Sequence, residues 1–231
     1  MEQSYLNLIE RNQIDHMPQI VFRLNVYAPS FSGKSYMIND LLTNPKYGYS
    51  KIFKPDQIYI LSPTFESDES YNTLREVMKN HKNNIRDDYD EDFLKEIVKK
   101  QTITKASKRA KPIIILIDDL VTKIDRHKAK ELIDLYYKGR HLFINIILTS
   151  QKYKEVPPAI RVNSCSNIYF TNAMNKGEIN QIEQDQTSDI FKDCVINLRK
   201  FNYFQYDFIY VNLKMPFDKR YYRNFDTVFQ E

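Results

Sequence analysis

The chain has 231 residues, of which 42% are apolar and 28% are charged, and its net charge is +4. This length allows one well-packed core and leaves little room for a second, so we expect a single domain over residues 1–231. Its core would span about 18–200, and the pattern leaves the role of residues 201–231 open. The mildly basic balance permits contact with nucleic acid without requiring it.

The cysteines and histidines argue against a disulfide-stabilised fold and against a structural zinc site. Cys165 and Cys194 are far apart, which favours a reduced intracellular setting over a disulfide framework. The four histidines lack the spacing of a zinc site. There is no apolar run of about 18 residues that could span a membrane, and the N-terminus lacks the form of a signal peptide. We therefore expect a soluble protein that is not secreted and has no membrane partner.

The first predicted strand, at about residues 21–27, breaks into a loop that ends in Gly-Lys-Ser at 33–35. This is the form of a phosphate-binding loop, whose backbone N–H groups and following helix hold triphosphate oxygens. Lys34 would reach the β- and γ-phosphates, and the Ser35 hydroxyl would ligate Mg²⁺. The pattern predicts that ATP or GTP binds here. The predicted nucleotide-binding residues are Ser30, Phe31, Ser32, Gly33, Lys34, Ser35 and Tyr36.

One position departs from the usual loop pattern. Ala28 stands where the pattern begins with glycine. Alanine resists a positive φ, so we expect the loop to start in a conformation that an L-residue tolerates. A chance Gly-Lys-Ser in a surface turn is the alternative interpretation.

The region after the loop alternates helical and strand patterns. We expect helices at 36–42, 71–79 and 90–100 and a buried strand at 57–61. The acidic run 87–92 is interpreted as helix capping and solvation rather than metal binding. The basic segment 99–111 resembles a flexible exposed loop, and its part 105–111 is a candidate for contacting DNA phosphates. A plain solvated linker is the alternative.

A central strand is predicted at 113–117, running directly into Asp118 and Asp119. Ligand sites of open α/β sheets lie at the carboxyl ends of such strands. We expect Asp118 to act through magnesium-bound water and Asp119 to orient or deprotonate the attacking water. A pair of aspartates at a helix N-cap is the other interpretation.

A helix at 126–138 and a second buried strand at 143–149 follow. Gln151 lies at the tip of this strand, where it could hydrogen-bond both the γ-phosphate and the attacking water. Further strands at 167–170 and 206–211 and helices at 177–184 and 188–195 continue the alternation. Strands alternating with helices imply parallel βαβ units, and with the phosphate loop they predict a three-layer α/β P-loop NTPase of the RecA/ASCE-like kind, with a mostly parallel central sheet.

Two arginines are candidates for stabilising a transition state. Arg140 follows a helix and precedes a strand, which puts it at the edge of the sheet opposite the phosphates of its own subunit. As an arginine finger it would have to reach a neighbouring subunit's nucleotide. Arg161 carries the same requirement. For each, a surface ion pair is the alternative role.

Together these motifs resemble those of the FtsK/HerA superfamily of P-loop motors. The resemblance rests on four segments, 32–35, 116–119, 139–151 and 160–163, and covers roughly residues 20–185. Within the superfamily, the chain is most similar to the compact DNA-packaging ATPases of poxviruses, other large DNA viruses and virophages. An aspartate at 119 is similar to what packaging ATPases often show.

This resemblance implies a ring-forming ATPase, a pentamer or hexamer, that threads double-stranded viral DNA into preformed capsids. It implies ATP and Mg²⁺ as cofactors, capsid or packaging-vertex proteins as partners, and a location in the virion or in virus factories of the host cytoplasm. The alternatives are a cellular FtsK/HerA-like DNA translocase, a small-molecule P-loop kinase, and an assembly protein whose ATP site only controls oligomerisation.

Overall fold

The computed structural model describes residues 3–121, 124, 129–186, 189–200 and 206–229. Its helices are Gln3–Asn12 (α1), Lys34–Thr43 (α2), Tyr49–Ile52 (α3), Asn72–Met78 (α4), Glu91–Ala106 (α5), Lys130–Lys138 (α6), Pro158–Val162 (α7), Lys176–Gln186 (α8) and Asp189–Lys200 (α9). Its strands are Arg23–Tyr27 (β1), Ile58–Leu61 (β2), Ile85–Arg86 (β3), Ile113–Ile117 (β4), Ile144–Ser150 (β5), Ser166–Tyr169 (β6), Ile209–Asn212 (β7), Tyr221–Arg223 (β8) and Thr227–Val228 (β9).

These nine strands of the described chain form one sheet in the order β3-β2-β4-β5-β1-β6-β7-β8-β9. The six strands from β3 to β6 in this order pair in parallel, and the last three pair antiparallel. The register aligns Tyr27 with Ser150 and Ile117 with Leu148, so the carboxyl ends of β1, β4 and β5 meet at one edge. The predicted α/β arrangement with a mostly parallel central sheet is confirmed.

The central strands are buried on both faces because helices cover both. Every residue of β4 and β5 is buried. Alternate side chains of β4 point into two separate apolar clusters, one packed with α5, α6, α8 and α9 and the other with α2, α3 and α4. Period-two alternation of the strand thus divides the core into the two halves of a three-layer sandwich.

The one asparagine inside β5 shows how a polar group is accommodated in this core. Asn145 is fully buried, its Oδ1 accepts a bond from Phe22 N at 3.0 Å, and its Nδ2 donates to Ile113 O at 2.9 Å. The side chain satisfies backbone groups at the starts of two neighbouring strands, which removes the cost of burying it.

The structure corrects one predicted segment and adds others. The basic stretch 99–111 is not a flexible loop throughout, since α5 continues to Ala106 and only the residues after it connect to β4. The sequence pattern also did not predict α1 or the short strand β3. Of the predicted helix 126–138, α6 forms from Lys130, while residues 126–128 lie outside the described residues, as does residue 188.

The C-terminal segment, whose role the sequence left open, extends the sheet. β7 pairs antiparallel with β6, with Ile168 opposite Tyr210, and β8 and β9 follow as a meander. Phe208 and Phe225 contact each other at 5.0 Å between ring centroids and pack into the cluster on the α2 side. Within the residues that can be described, none of the helices is both long and apolar enough to cross a bilayer.

Candidate active site

The loop between β1 and α2 has the backbone of an anion cradle. Ala28 does not adopt a positive φ, whereas Phe31 and Gly33 do, with φ of 61° and 89°. Ala28 N donates to Ser150 O at 3.0 Å, which continues the β1–β5 pairing into the loop. The strain expected of the missing glycine is therefore absent at Ala28, and the left-handed turn occurs three residues later.

The N-terminus of α2 offers unpaired donors to an anion. Gly33 is its N-cap and supplies no side-chain cap. The Ser32 Oγ is buried and has no hydrogen-bond partner among the described residues. Free N–H groups at a helix N-terminus, together with the helix dipole, favour a phosphate group at this position.

Lys34 ties this loop to the acid pair at the end of β4. Its Nζ lies 3.2 Å from Asp118 Oδ1 and 2.5 Å from Asp119 Oδ2. The side chains of Lys34 and Asp118 are only 8% and 1% exposed. The structure thus brings together the two motifs that the sequence separates by more than eighty residues. One ammonium group contacts two carboxylates, of which Asp118 is buried and Asp119 is partly exposed, so the trio keeps one excess negative charge.

Asp118 is held on every side by hydroxyl groups. Its Oδ2 accepts hydrogen bonds from Ser62 Oγ and Tyr71 OH, both at 3.0 Å. Its Oδ1 accepts one from Thr149 Oγ1 at 2.7 Å. Because four donors, including Lys34, fix this carboxylate, its orientation is set before any ligand arrives.

Asp119 is held less tightly and faces an open cavity. Its φ is 53°, a left-handed conformation, and its N–H donates to Thr149 Oγ1 at 2.9 Å. Gln151 Nε2 donates to Asp119 Oδ2 at 3.4 Å, and both residues line a cavity of about 230 Å³. Asp119 Oδ1 is buried and has no hydrogen-bond partner in the described chain, so this acceptor is unsatisfied unless a water molecule or a ligand reaches it.

Four site residues were missed by the sequence interpretation. Ser62, Tyr71 and Thr149 surround Asp118, and Asp68 lies beside the phosphate loop. Ser62, Asp68 and Tyr71 belong to no motif with a recognisable spacing, so no sequence pattern selects them. Thr149 could have been selected, because it is a polar residue at the carboxyl end of the strand beside β4.

The local electrostatics perturb two of these added residues. Partial burial pushes the pKa of Asp68 upward, but hydrogen bonds from Ser70 N–H and from the Ser35 and Ser70 hydroxyls, with the Lys34 charge, hold the pKa below its usual value. Burial, and then the neighbouring Asp118 charge, raise the pKa of Tyr71 well above its usual value. Tyr71 therefore stays protonated and remains a hydrogen-bond donor to Asp118.

The two candidate finger arginines lie in different surroundings. Arg140 is exposed in the turn Gly139–Leu142, ahead of β5, and its Nε lies 3.3 Å from His141 Nε2. β5 has seven residues and separates Arg140 from the phosphate edge of the sheet by roughly 20 Å. Arg161 lies 3.1 Å from Asp185 and 4.6 Å from the centroid of the Tyr153 ring. Its charge is engaged within its own subunit.

The donor set fits a magnesium ion that is completed by phosphate oxygens. The described residues contain no cluster of three histidine, cysteine or carboxylate ligands that could hold a metal alone. Ser35 lies on the first turn of α2, and both Asp118 oxygens already accept hydrogen bonds. This arrangement suits Mg²⁺, which keeps several waters and is held by few protein groups together with substrate phosphates.

The fold and the site together define the class of protein to which this chain belongs. A phosphate loop after β1, a polar strand tip on the adjacent β5 and an acid pair at the end of the next strand, β4, are the features of a P-loop NTPase. The model of the family described as "Poxvirus A32 protein" matches residues 9–212. The chain belongs to this family, and the resemblance to packaging ATPases of large DNA viruses is confirmed.

Two solved structures of similar fold are those of packaging proteins from Sulfolobus viruses. The DNA-packaging ATPase B204 of Sulfolobus turreted icosahedral virus aligns with a TM-score of 0.58 and 16% identity, covering 84% of this chain and 94% of that chain. The genome-packaging NTPase B204 of Sulfolobus turreted icosahedral virus 2, in complex with AMP, aligns with a TM-score of 0.53 and 15% identity, covering 84% and 93%. At these identities the similarity concerns the fold.

One curated relative matches part of the chain. Uncharacterized protein 075L of Invertebrate iridescent virus 6 is 32% identical over 80 residues, which are 34% of this chain and 31% of that protein. The chain therefore matches about a third of this relative's length.

Proposed function

We propose that this chain is an ATP-hydrolysing motor that moves double-stranded viral DNA into preformed capsids. The observation that carries the proposal is the contact of Lys34 with Asp118 and Asp119 at the phosphate loop, in a chain of the poxvirus A32 family. The fold shared with the DNA-packaging ATPase B204 supports it. The infected cell, during virion assembly, is where such a motor would act.

The nucleotide would displace Lys34 from the acid pair. Phosphate oxygens at the N-terminus of α2 offer Lys34 a doubly charged partner, and the ammonium group swings from Asp119 toward the β- and γ-phosphates. Asp119 then loses its ion pair, and its carboxylate becomes free to orient a water molecule or to take a proton from it. Nucleotide binding itself would thus prepare Asp119 to act as the general base.

Ser35 and Asp118 would hold Mg²⁺, with the Asp118 carboxylate acting through a coordinated water because hydroxyl groups already occupy both its oxygens. A bound magnesium neutralises charge that develops on the transferred phosphoryl group. Gln151 would contact the γ-phosphate and the attacking water from the tip of β5, next to Asp119.

The positive charge that stabilises the transition state of hydrolysis would come from an arginine of a neighbouring subunit. Arg140 is exposed and lies at the edge of the sheet opposite its own phosphate loop. Arg140 of one copy can therefore serve only the nucleotide of another, which makes a homo-oligomeric ring, a pentamer or hexamer, part of the mechanism. Arg161 is the weaker candidate because Asp185 engages its charge.

Exposed basic residues at the end of α5 would contact DNA. Lys105, Lys108 and Arg109 are exposed around the C-terminus of this helix, and Lys108 turns the chain with a φ of 60°. Contacts from such groups to phosphates are independent of sequence, as packaging of a whole genome requires. Capsid or packaging-vertex proteins would be the further partners.

The proposal is tested by phosphate release from ATP at increasing protein concentration, with and without long duplex DNA. We expect a rate per subunit that rises with concentration and is stimulated by DNA. Lys34→Ala should abolish hydrolysis, while Lys79→Ala, which removes an exposed lysine next to α4, should leave it intact. A rate unaffected by DNA, or retained in Lys34→Ala, contradicts the motor.

A further inference from the structure

A second cavity, of about 720 Å³, lies on the Gly33 side of the phosphate loop and is separate from the cavity beside Asp119. Three aromatic side chains around it are exposed to solvent: Phe31 by 94%, Tyr36 by 68% and Tyr206 by 59%. Large apolar rings usually avoid water, and rings clustered around one cavity next to a candidate phosphate site indicate a surface for a flat ligand.

Tyr206 is in direct contact with the phosphate loop. A Cβ on Gly33 would lie 2.8 Å from Tyr206 Cδ1, so a larger residue would force the Tyr206 ring to shift. The φ of 89° favours glycine at this position, and the neighbouring ring adds a steric reason. The part of a bound ligand that extends beyond the phosphate loop on this side would lie next to the Tyr206 ring.

Asp207, the residue after Tyr206, anchors this part of the chain to the C-terminal meander. Asp207 is 5% exposed and accepts hydrogen bonds from Arg223 Nη2 at 2.8 Å and from Asn224 Nδ2 at 2.9 Å. Asn224 Oδ1 in turn accepts a bond from Phe208 N at 3.1 Å. The aromatic wall is thus positioned by a fixed network rather than by a free loop.

Two carboxylates also line the cavity, Asp40 and Asp226. Asp226 is paired with Lys46 Nζ at 2.8 Å, and Asp40 Oδ1 accepts a hydrogen bond from Asn44 Nδ2 at 3.0 Å. Burial, and then these two carboxylates, raise the pKa of Tyr47, another residue that lines the cavity, to about 12. The Asp40 carboxylate disfavours phosphate groups beside it and attracts N–H donors. The part of a nucleotide that fits here is the base.

We propose that this cavity holds the nucleobase of the bound triphosphate, stacked on Tyr206, with an exocyclic amino group directed to Asp40. The proposal rests on the proposed function and adds the base subsite to it. It assigns to the C-terminal meander, which the sequence left without a role, one wall of the nucleotide site. It also predicts preference for a base that carries an amino donor over one that offers only a carbonyl.

Competition binding with ATP, ITP and inorganic tripolyphosphate tests this inference. Aromatic stacking on a base is strong enough that Tyr206→Ala should weaken ATP binding about tenfold, while tripolyphosphate binding should change by less than about twofold because it lacks a base. Tyr206→Phe should keep the affinity for ATP. Tyr137→Ala removes an exposed tyrosine of α6 and is the matched control.

ITP should bind more weakly than ATP, because ITP has a carbonyl where ATP has the exocyclic amino group. Asp40→Ala should reduce this difference in affinity between ATP and ITP. Tyr36→Ala removes a second ring of this cavity and should also weaken ATP binding more than tripolyphosphate binding. An unchanged ratio of ATP to tripolyphosphate affinity in Tyr206→Ala overturns the base site. Retained binding of both ligands by Lys34→Ala instead overturns the nucleotide site as a whole, so the two failures are distinguishable.

Discussion

Thr149 Oγ1 donates a hydrogen bond of 2.7 Å to Asp118 Oδ1, and the same hydroxyl accepts the Asp119 N–H at 2.9 Å. It also lies 3.3 Å from Lys34 Nζ. One hydroxyl on β5 therefore fixes the relative positions of the Asp118 carboxylate, the Asp119 backbone and the phosphate-loop lysine. This three-way contact is what turns two separate motifs into one site.

Thr149→Val should uncouple these groups while it keeps the side-chain shape. The substitution leaves the Asp119 N–H without its partner and leaves Asp118 Oδ1 with Lys34 Nζ alone. We therefore expect a loss of about 1–3 kcal/mol in the free energy of unfolding and a larger loss in ATPase activity. Thr171→Val is the matched control, since Thr171 Oγ1 is buried and has no partner among the described residues. Equal effects of the two substitutions would contradict the role of Thr149.

Lys34→Met should destabilise the protein even without nucleotide. Asp118 is almost fully buried, and removal of one partner of a buried ion pair costs about 3–5 kcal/mol because the other charge is left uncompensated. Adding Asp118→Asn should restore part of this loss. Urea unfolding of both single variants and the double variant measures the coupling, and strictly additive losses would mean that the pair is not coupled.

Asp68 should make stability depend on pH in the acid range. Its pKa is lowered in the folded protein, so its contribution is present above the unfolded value, 3.8, and is lost as the pH falls through the folded value. Asp68→Asn should therefore be less stable than the wild type at neutral pH, and the difference should shrink under acidic conditions. Unfolding curves of both proteins from neutral to acid pH measure it, and a difference that grows on acidification would have the wrong sign.

Mixing two inactive variants should restore activity if Arg140 acts on a neighbour. Arg140→Ala keeps an intact phosphate loop, and Lys34→Ala keeps an intact finger, so a mixed ring contains some complete sites. We expect each variant alone to be inactive and the mixture to hydrolyse ATP. Arg161→Ala should instead lose stability, because it removes the Asp185 and Tyr153 contacts. No recovery on mixing would exclude Arg140 as a finger acting between subunits.

The basic end of α5 should contribute to the salt dependence of DNA binding. Each lost phosphate contact reduces the slope of log affinity against log salt by about 0.9. Replacing Lys105, Lys108 and Arg109 by alanine, which removes up to three contacts, should therefore reduce the magnitude of the slope by up to about 2.7. A triple alanine variant of Lys51, Lys54 and Lys79, which are exposed on the other helical layer, is the control. Identical slopes in the two triple variants would remove this segment from the DNA path.

Local sequence patterns determined the fold class, the phosphate loop and the acid pair. Apolar runs that end in a polar residue specify buried parallel strands and mark their carboxyl ends, and Gly-Lys-Ser specifies the loop, because each depends on neighbours in the chain. Tertiary structure alone decided which hydroxyls hold Asp118, since Ser62 lies 56 residues and Tyr71 lies 47 residues away in sequence. It also decided that Tyr206, just before β7, reaches Gly33. An antiparallel strand can join any free sheet edge, and no local sequence pattern specifies which edge it joins.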